Sequence, residues 1–190
     1  MTVSTPTADD ETLIRAIARG DRTAMQTLFA RHRVKVFRFV LRVVRNQATA
    51  EELTADVFLD VWRNARRFEG RSAAATWILA IARFKALSAL RRCRERTLDE
   101  TAAARIADHS EGPEAALANK HRGDVLRACL ARLSLDHREV IDLVYYHEKS
   151  IDEVAKIVNV PVNTVKTRMF HARRRLARQL EDAGLEREFL

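Results

Sequence analysis

The chain has 190 residues, enough for one ordinary domain or two small ones, and 47% of them are apolar, so a real core can form. Its formal net charge of +8 points to a polyanionic partner, either nucleic acid or an anionic membrane surface. Two cysteines, Cys93 and Cys129, have no close Cys or His partner, which excludes a zinc pattern and a disulfide framework.

No apolar run approaches the roughly 18 residues of a membrane span, so no membrane insertion is expected. The polar, acidic start MTVSTPTADDE is no signal peptide, and a soluble cytoplasmic protein is expected. Gly and Pro are scarce, while Ala, Leu, Arg and Glu dominate, which favours helices. An all-α fold of two small helical domains is expected.

Residues 1–10 read as disordered. A short helix is predicted from Glu11 to Arg19, ending at Gly20. Asp21 can cap a longer helix through Arg45, with Leu28, Phe29, Val36, Phe39, Val40 and Val43 mostly on one side. Thr49 with Glu52 reads as a capping box opening a helix to Asn64. Leu53, Val57 and Val61 form its apolar stripe, widened by Phe58 and Trp62. A break follows at Arg67 to Ser72, and a helix is predicted from Ala73 to Arg94, closing on a basic cluster at Arg91 to Arg96.

Composition then shifts. Residues 97–118 hold Asp99, Glu100, Asp108, Glu111, Glu114 and Gly112-Pro113, with few large apolar groups, and read as a linker. The domains so divided are 11–96 and 119–181, with a tail at 182–190.

The sharpest local signal lies in the second domain. Ser150 and Glu153 form an S-x-x-E capping box, so a helix starts at Ile151. Ile151, Val154, Ala155 and Val158 follow one buried face. Asn159 falls where a tight turn needs positive φ, and Pro161 suits the first turn of the next helix. In that helix Val162, Val165, Met169, Ala172 and Leu176 point inward, while Asn163, Lys166, Thr167, Phe170 and Arg174 share another face. A short helix, a tight turn and a second helix with a polar, basic face describe a helix-turn-helix. Its second helix fits a major groove. Lys166 and Arg174 can donate to guanine or phosphate, and Asn163 can pair with adenine or phosphate. Thr167 and Phe170 can meet a thymine methyl, and Arg168, Arg173, Arg175 and Arg178 can reach phosphates.

The stretches LSLDHREVIDLVYYHEKSIDEVAKIVNVPVNTVKTRMFHARRRL (Leu133 to Leu176) and AEELTADVFLDVWRNARRFEGRSAAATWILAIARFKALSALRR (Ala50 to Arg92) resemble the two conserved domains of the extracytoplasmic-function sigma factors. By that resemblance the second domain reads the −35 promoter element, with contact positions at Lys166, Thr167, Phe170 and His171, where the family commonly has an Arg in place of His171. The resemblance implies that the helix from Glu51 to Trp62 docks on the clamp coiled coil of the largest subunit of RNA polymerase core, through Glu52, Ala55, Asp56, Leu59, Asp60 and Arg63. The family usually has Gln at Ala55. It implies that the loop Phe68 to Trp77 captures a flipped base of the −10 element, with Phe68, Gly70, Arg71 and Ser72 in that role. Lys85, Arg91, Arg92 and Arg94 would line the DNA path. The family frequently has large aromatics where this chain has Ala74 and Ala75.

The partners so implied are RNA polymerase core, promoter DNA and an anti-sigma factor, with no small-molecule substrate, no cofactor and no metal. From pattern alone, a free-standing helix-turn-helix regulator is the alternative, and it leaves the first domain without a task. There is no phosphate-binding Gly loop, metal cluster or activated nucleophile, which argues against an enzyme. His137, His147 and His171 have no carboxylate partner at helical spacing.

Overall fold

The computed structural model describes residues 9–99 and 117–184, with side chains for 9–95 and 123–184. The expectations for 1–8, for most of 97–118 and for 185–190 lie outside the described residues. Among the described residues there is no strand, and the helices form two compact units.

The first unit holds α1 (Asp10–Ala18), α2 (Arg22–Val44), α3 (Gln47–Asn64) and α4 (Ala74–Asp99). α2 packs against the other three helices, because its apolar residues recur on more than one side. Phe39, Leu28, Val36 and Val40 of α2 are fully buried with Ile14 of α1, Val57 and Val61 of α3 and Ile78 of α4.

The first two helix starts are chemically marked. The Asp9 side chain accepts from Thr12 N at 2.7 Å, and Asp21 Oδ1 accepts from Thr23 N and Ala24 N at 2.9 and 3.0 Å. Such caps satisfy N–H groups that have no partner within the helix. α2 ends on Arg45 in the left-handed region, at φ 55°.

Two expectations need correction. α3 does not open on a Thr49–Glu52 capping box. It starts three residues earlier, at Gln47, where Asn46 Oδ1 accepts from Thr49 N at 2.9 Å. Asn is the better cap, and its use draws Thr49 into the first turn. α4 does not stop at Arg94 but runs to Asp99. Nothing between Arg94 and Asp99 breaks a helix, since Gly and Pro are absent there.

The second unit holds α5 (Leu117–Ala131), α6 (Leu135–Ile141), a π turn at Asp142–Tyr146, α7 (Ile151–Val158) and α8 (Val162–Asp182). α8 is the spine, touched by α5, α6 and α7. Val140, Leu143, Val154, Val158 and Val165 bury completely or nearly so around it. Cys129 of α5 packs with Leu176 and Leu180 of α8, and its thiol donates to Gln179 O at 3.6 Å. Neither Cys129 nor the exposed Cys93 is in a disulfide.

The π turn adds a histidine pair that helical spacing does not show. His147 Nε2 lies 3.4 Å from Asp142 Oδ2, and the His147 side chain is only 1% exposed. The wider turn brings residues five apart together, a spacing absent from an ordinary helix.

Candidate nucleic-acid interface

The helix-turn-helix is built as its residues dictate. Ser150 Oγ accepts from Glu153 N at 3.2 Å, and Glu153 Oε2 accepts from Ser150 N at 3.0 Å, a reciprocal capping box. Lys149 Nζ holds the other oxygen of Glu153 at 3.0 Å. α7 then ends after two turns on Asn159, at φ 53° and ψ 52°. Val160 N donates back to Ala155 O at 3.2 Å, so the chain reverses at once. Pro161 stands at the N-cap of α8 rather than in its first turn, and its carbonyl accepts from Thr164 N at 2.9 Å.

On α8, Val165, Met169, Ala172 and Leu176 are buried and Val162 is half-buried. Lys166, Thr167, Phe170, His171, Arg173 and Arg174 are all exposed, as is Asn163. Phe170 is 61% exposed, with its ring edge toward His171 at 5.4 Å between centroids. Thr167 Oγ1 donates to Asn163 O at 3.0 Å, which fixes its rotamer. Arg168 stands apart from this face. It is half-buried, and its guanidinium pairs with Asp136 of α6 at 2.8 Å.

Three neighbours of this face are not assigned to it by the sequence pattern. Tyr145, in the π turn, is exposed and carries Arg173 over its ring at 5.5 Å. Asp136 holds Arg168. His137 of α6 lies with its ring 6.5 Å from that of His171. Burial, reinforced by the neighbouring charge of His171, pushes His137 below the ordinary imidazole range.

In the first unit, a 3-10 turn at Ala65–Arg67 leads out of α3, and Arg66 Nε donates to Ala18 O at 3.0 Å. The chain then crosses an exposed loop to α4. Phe68 is half-buried against Trp77, with ring centroids 5.1 Å apart. Gly70 takes φ +69°, which a side chain tolerates poorly. Arg71 is exposed beside Glu69, and Ser72 is half-buried. Ala74 is buried and Ala75 half-buried. Arg91 and Arg92 are exposed along α4. Sequence reasoning passes over Phe84, which is exposed on the same helix.

Glu52, Ala55, Leu59 and Arg63 are on the outer face of α3, with Asp56 and Asp60 beside them. Lys85, which the sequence reading set on the DNA path, reaches this group. Its ammonium lies 2.9 Å from Asp60 and 3.9 Å from Asp56. Two carboxylates within reach outcompete solvent for a half-buried lysine.

The Sigma-70 region 2 family matches residues 28–97, and the Sigma-70 region 4 family matches residues 123–176. The ECF RNA polymerase sigma factor SigK of Mycobacterium tuberculosis is 30% identical over 92% of this chain and 95% of its own length. The chain belongs to the extracytoplasmic-function (ECF) sigma factors. As such it is a transcription initiation factor that works with RNA polymerase core on promoter DNA. It is also 26% identical to the RNA polymerase sigma-H factor of Pseudomonas aeruginosa, over 90% of this chain and 94% of that one.

Two solved structures share the fold of this ECF sigma factor. The sigma factor RpoE of Bartonella quintana, in complex with the anti-sigma factor NepR, matches with a TM-score of 0.70 and 23% identity, over 82% of this chain and 96% of that one. CnrH, in complex with the cytosolic domain of CnrY, matches with a TM-score of 0.69 and 21% identity, over 91% of this chain and 97% of that one. No helix among the described residues is long and apolar enough to cross a membrane.

Proposed function

We propose that this sigma factor divides its work among three faces. Asn163, Lys166, Thr167, Phe170 and His171 meet base edges of the −35 element, while Arg173 and Arg174 hold phosphates. The loop of Phe68, Gly70, Arg71 and Ser72 takes a flipped base of the −10 element, with Arg91 and Arg92 along the opened strand. Glu52, Ala55, Asp56, Leu59, Asp60 and Arg63 dock on the clamp coiled coil of the largest polymerase subunit. Arg168 supports α8 through Asp136 and reaches phosphate only with its remaining donors.

In this reading residues 11–96 act on core and the −10 element, residues 119–181 act on the −35 element, and residues 97–118 link them. Two modest contacts on one chain add through effective concentration and select for element spacing. The protein acts by binding alone in the cytoplasm, with no catalytic step, cofactor or metal. An anti-sigma partner holds it inactive, a reading supported by the NepR complex of the Bartonella relative.

The observation that carries the proposal is the two-faced α8 set by the left-handed Asn159, apolar inward and basic outward. The test is transcription in vitro from a pool of genomic promoter fragments, using bacterial core polymerase with and without the protein. New start sites that require the protein establish the role and reveal both elements. A protein that shifts duplex DNA alone and starts no transcript is a free-standing regulator instead.

A further inference from the structure

Arg168 and Arg173 border the buried stripe of α8 on opposite sides, about 140° apart around the axis at 3.6 residues per turn. The two are held by different chemistry. Arg168 pairs with the Asp136 carboxylate at 2.8 Å, which spends its charge within the second unit. Arg173 lies over the ring of Tyr145, with its guanidinium carbon 5.5 Å from the ring centroid. A π-face attracts a cation without neutralising it, so the guanidinium keeps its charge for an outside anion.

Tyr145 stands on a firm mount. It sits inside the π turn, two residues after Leu143, which is fully buried, and two before His147, which is 5% exposed. His147 N donates to Asp142 O at 3.1 Å, and Lys149 N donates to Leu143 O at 3.0 Å, so the backbone around the ring is bonded in place. The neighbouring Tyr146 ring meets that of His147 edge-on, with centroids 5.3 Å apart. Tyr145 itself turns outward and is 56% exposed. Its ring gains little from burial, and what it holds is Arg173. Single π turns concentrate at functional sites.

Arg173 lies about three turns into α8, and about 10 Å past Lys166 on the same side of the helix. A recognition helix reads base edges with its first turns, while phosphate contacts fix its register on the duplex. A flexible side chain loses rotamer freedom when it grips a phosphate. A contact already made in the free protein lowers that cost.

We propose that Tyr145 is a positioning residue for −35 binding, its ring holding Arg173 ready for a backbone phosphate beside the element. This rests on the reading of Arg173 as a phosphate contact. The ring touches no base, so it strengthens binding without changing the sequence that α8 prefers.

The test uses holoenzyme and a duplex fragment carrying the −35 element of one promoter recovered from the genomic pool with the wild-type protein. Affinity is read by fluorescence anisotropy over a series of salt concentrations. Melting of the free protein is read by circular dichroism, and assembly with core by gel filtration.

Tyr145→Ala is expected to weaken binding about threefold, the size of an exposed cation–π contact. Tyr145→Phe and Tyr145→Trp keep the affinity, and Tyr145→Leu does not. Arg173→Ala weakens binding further and lowers the logarithmic salt slope by about 1. In the Arg173→Ala background, Tyr145→Ala adds nothing, the non-additivity of two residues that act as one. A single substituted base pair in the element weakens wild type and Tyr145→Ala by the same factor.

A Tyr145→Ala loss that persists in full without Arg173, with a lower melting temperature, makes Tyr145 a structural residue and overturns the proposal. An equal loss in Tyr145→Phe puts the contact on the hydroxyl and overturns it too, as does failure of Tyr145→Ala to assemble with core. If Arg173→Ala leaves affinity and slope unchanged, the phosphate reading of Arg173 falls, and the role of Tyr145 with it. A weakened Arg173→Ala beside an unchanged Tyr145→Ala removes the positioning role alone.

Discussion

Lys85 of α4 reaches across to α3 and sets its ammonium 2.9 Å from the Asp60 carboxylate, with Asp56 at 3.9 Å. The lysine side chain is 19% exposed, so the pair is partly shielded from water. It ties the helix proposed to follow DNA to the helix proposed to dock on polymerase.

Lys85→Met keeps the aliphatic stem and removes the charge. It is expected to destabilise the first unit on the order of 1 kcal/mol, between the value of an exposed ion pair and that of a charged hydrogen bond. Both tryptophans, Trp62 and Trp77, lie in that unit, so their fluorescence in a urea titration reads it. The salt dependence of promoter binding should be unchanged. A phosphate-binding role would instead lower the logarithmic salt slope by about 1 on substitution.

The exposed face of α8 makes a contrasting prediction. Lys166→Ala and Arg174→Ala remove exposed cations, so thermal stability stays level while holoenzyme affinity for the −35 element falls. The salt slope should drop by about 1 for each phosphate that is no longer neutralised. Arg168→Ala behaves differently, because its guanidinium is spent on Asp136 at 2.8 Å. It should lower the melting temperature of the second unit, measured by circular dichroism, and Asp136→Asn should lower it in the same direction.

The turn of the helix-turn-helix is a third point of attack. Ser150→Ala removes the acceptor for Glu153 N and should cost about 1 kcal/mol of second-unit stability. Asn159→Gly should be close to neutral, since glycine takes φ 53° freely. Asn159→Val should cost about 1–2 kcal/mol, the penalty for placing a Cβ in the left-handed region. A urea titration followed by circular dichroism checks all three. Equal stability of the Gly and Val variants would remove the backbone explanation.

Why part of this architecture is legible in the sequence and part is not has physical causes. The Ser150–Glu153 box and Asn159 are local devices whose atoms lie within a few residues, so spacing alone reveals them. The inward and outward faces of α8 follow from one helical period. The partners of Lys85 escape a sequence reading because they lie on another helix, and no pattern within α4 shows which way a long side chain swings. The His147–Asp142 pair escapes because a π turn changes the spacing that joins them. Thr49 reads as a cap because Asn46, the stronger one, lies just outside the window of apolar periodicity. Phe84 is overlooked because the exposure of one aromatic in an apolar helix is not legible until the buried face is known.

A last prediction concerns the join between α1 and α2. Asp10 accepts from Arg31 Nη1 at 2.8 Å and lies 2.6 Å from His32 Nε2. Burial raises its carboxyl, but the hydrogen bonds from Arg31 and His32 outweigh that and hold it below the ordinary carboxylate value. A carboxyl with a lower pKa folded than unfolded binds fewer protons in the native state. Its contribution is therefore full above the unfolded pKa and is lost as pH falls through the folded one. Asp10→Asn should lower first-unit stability at neutral pH, and the gap to wild type should close in acid as the native carboxyl takes up its proton. Urea titrations followed by tryptophan fluorescence, repeated from neutral pH downward, trace that gap. A gap that stayed constant with pH would mean that Asp10 acts through its shape and hydrogen-bond geometry, and that its charge carries none of the stability.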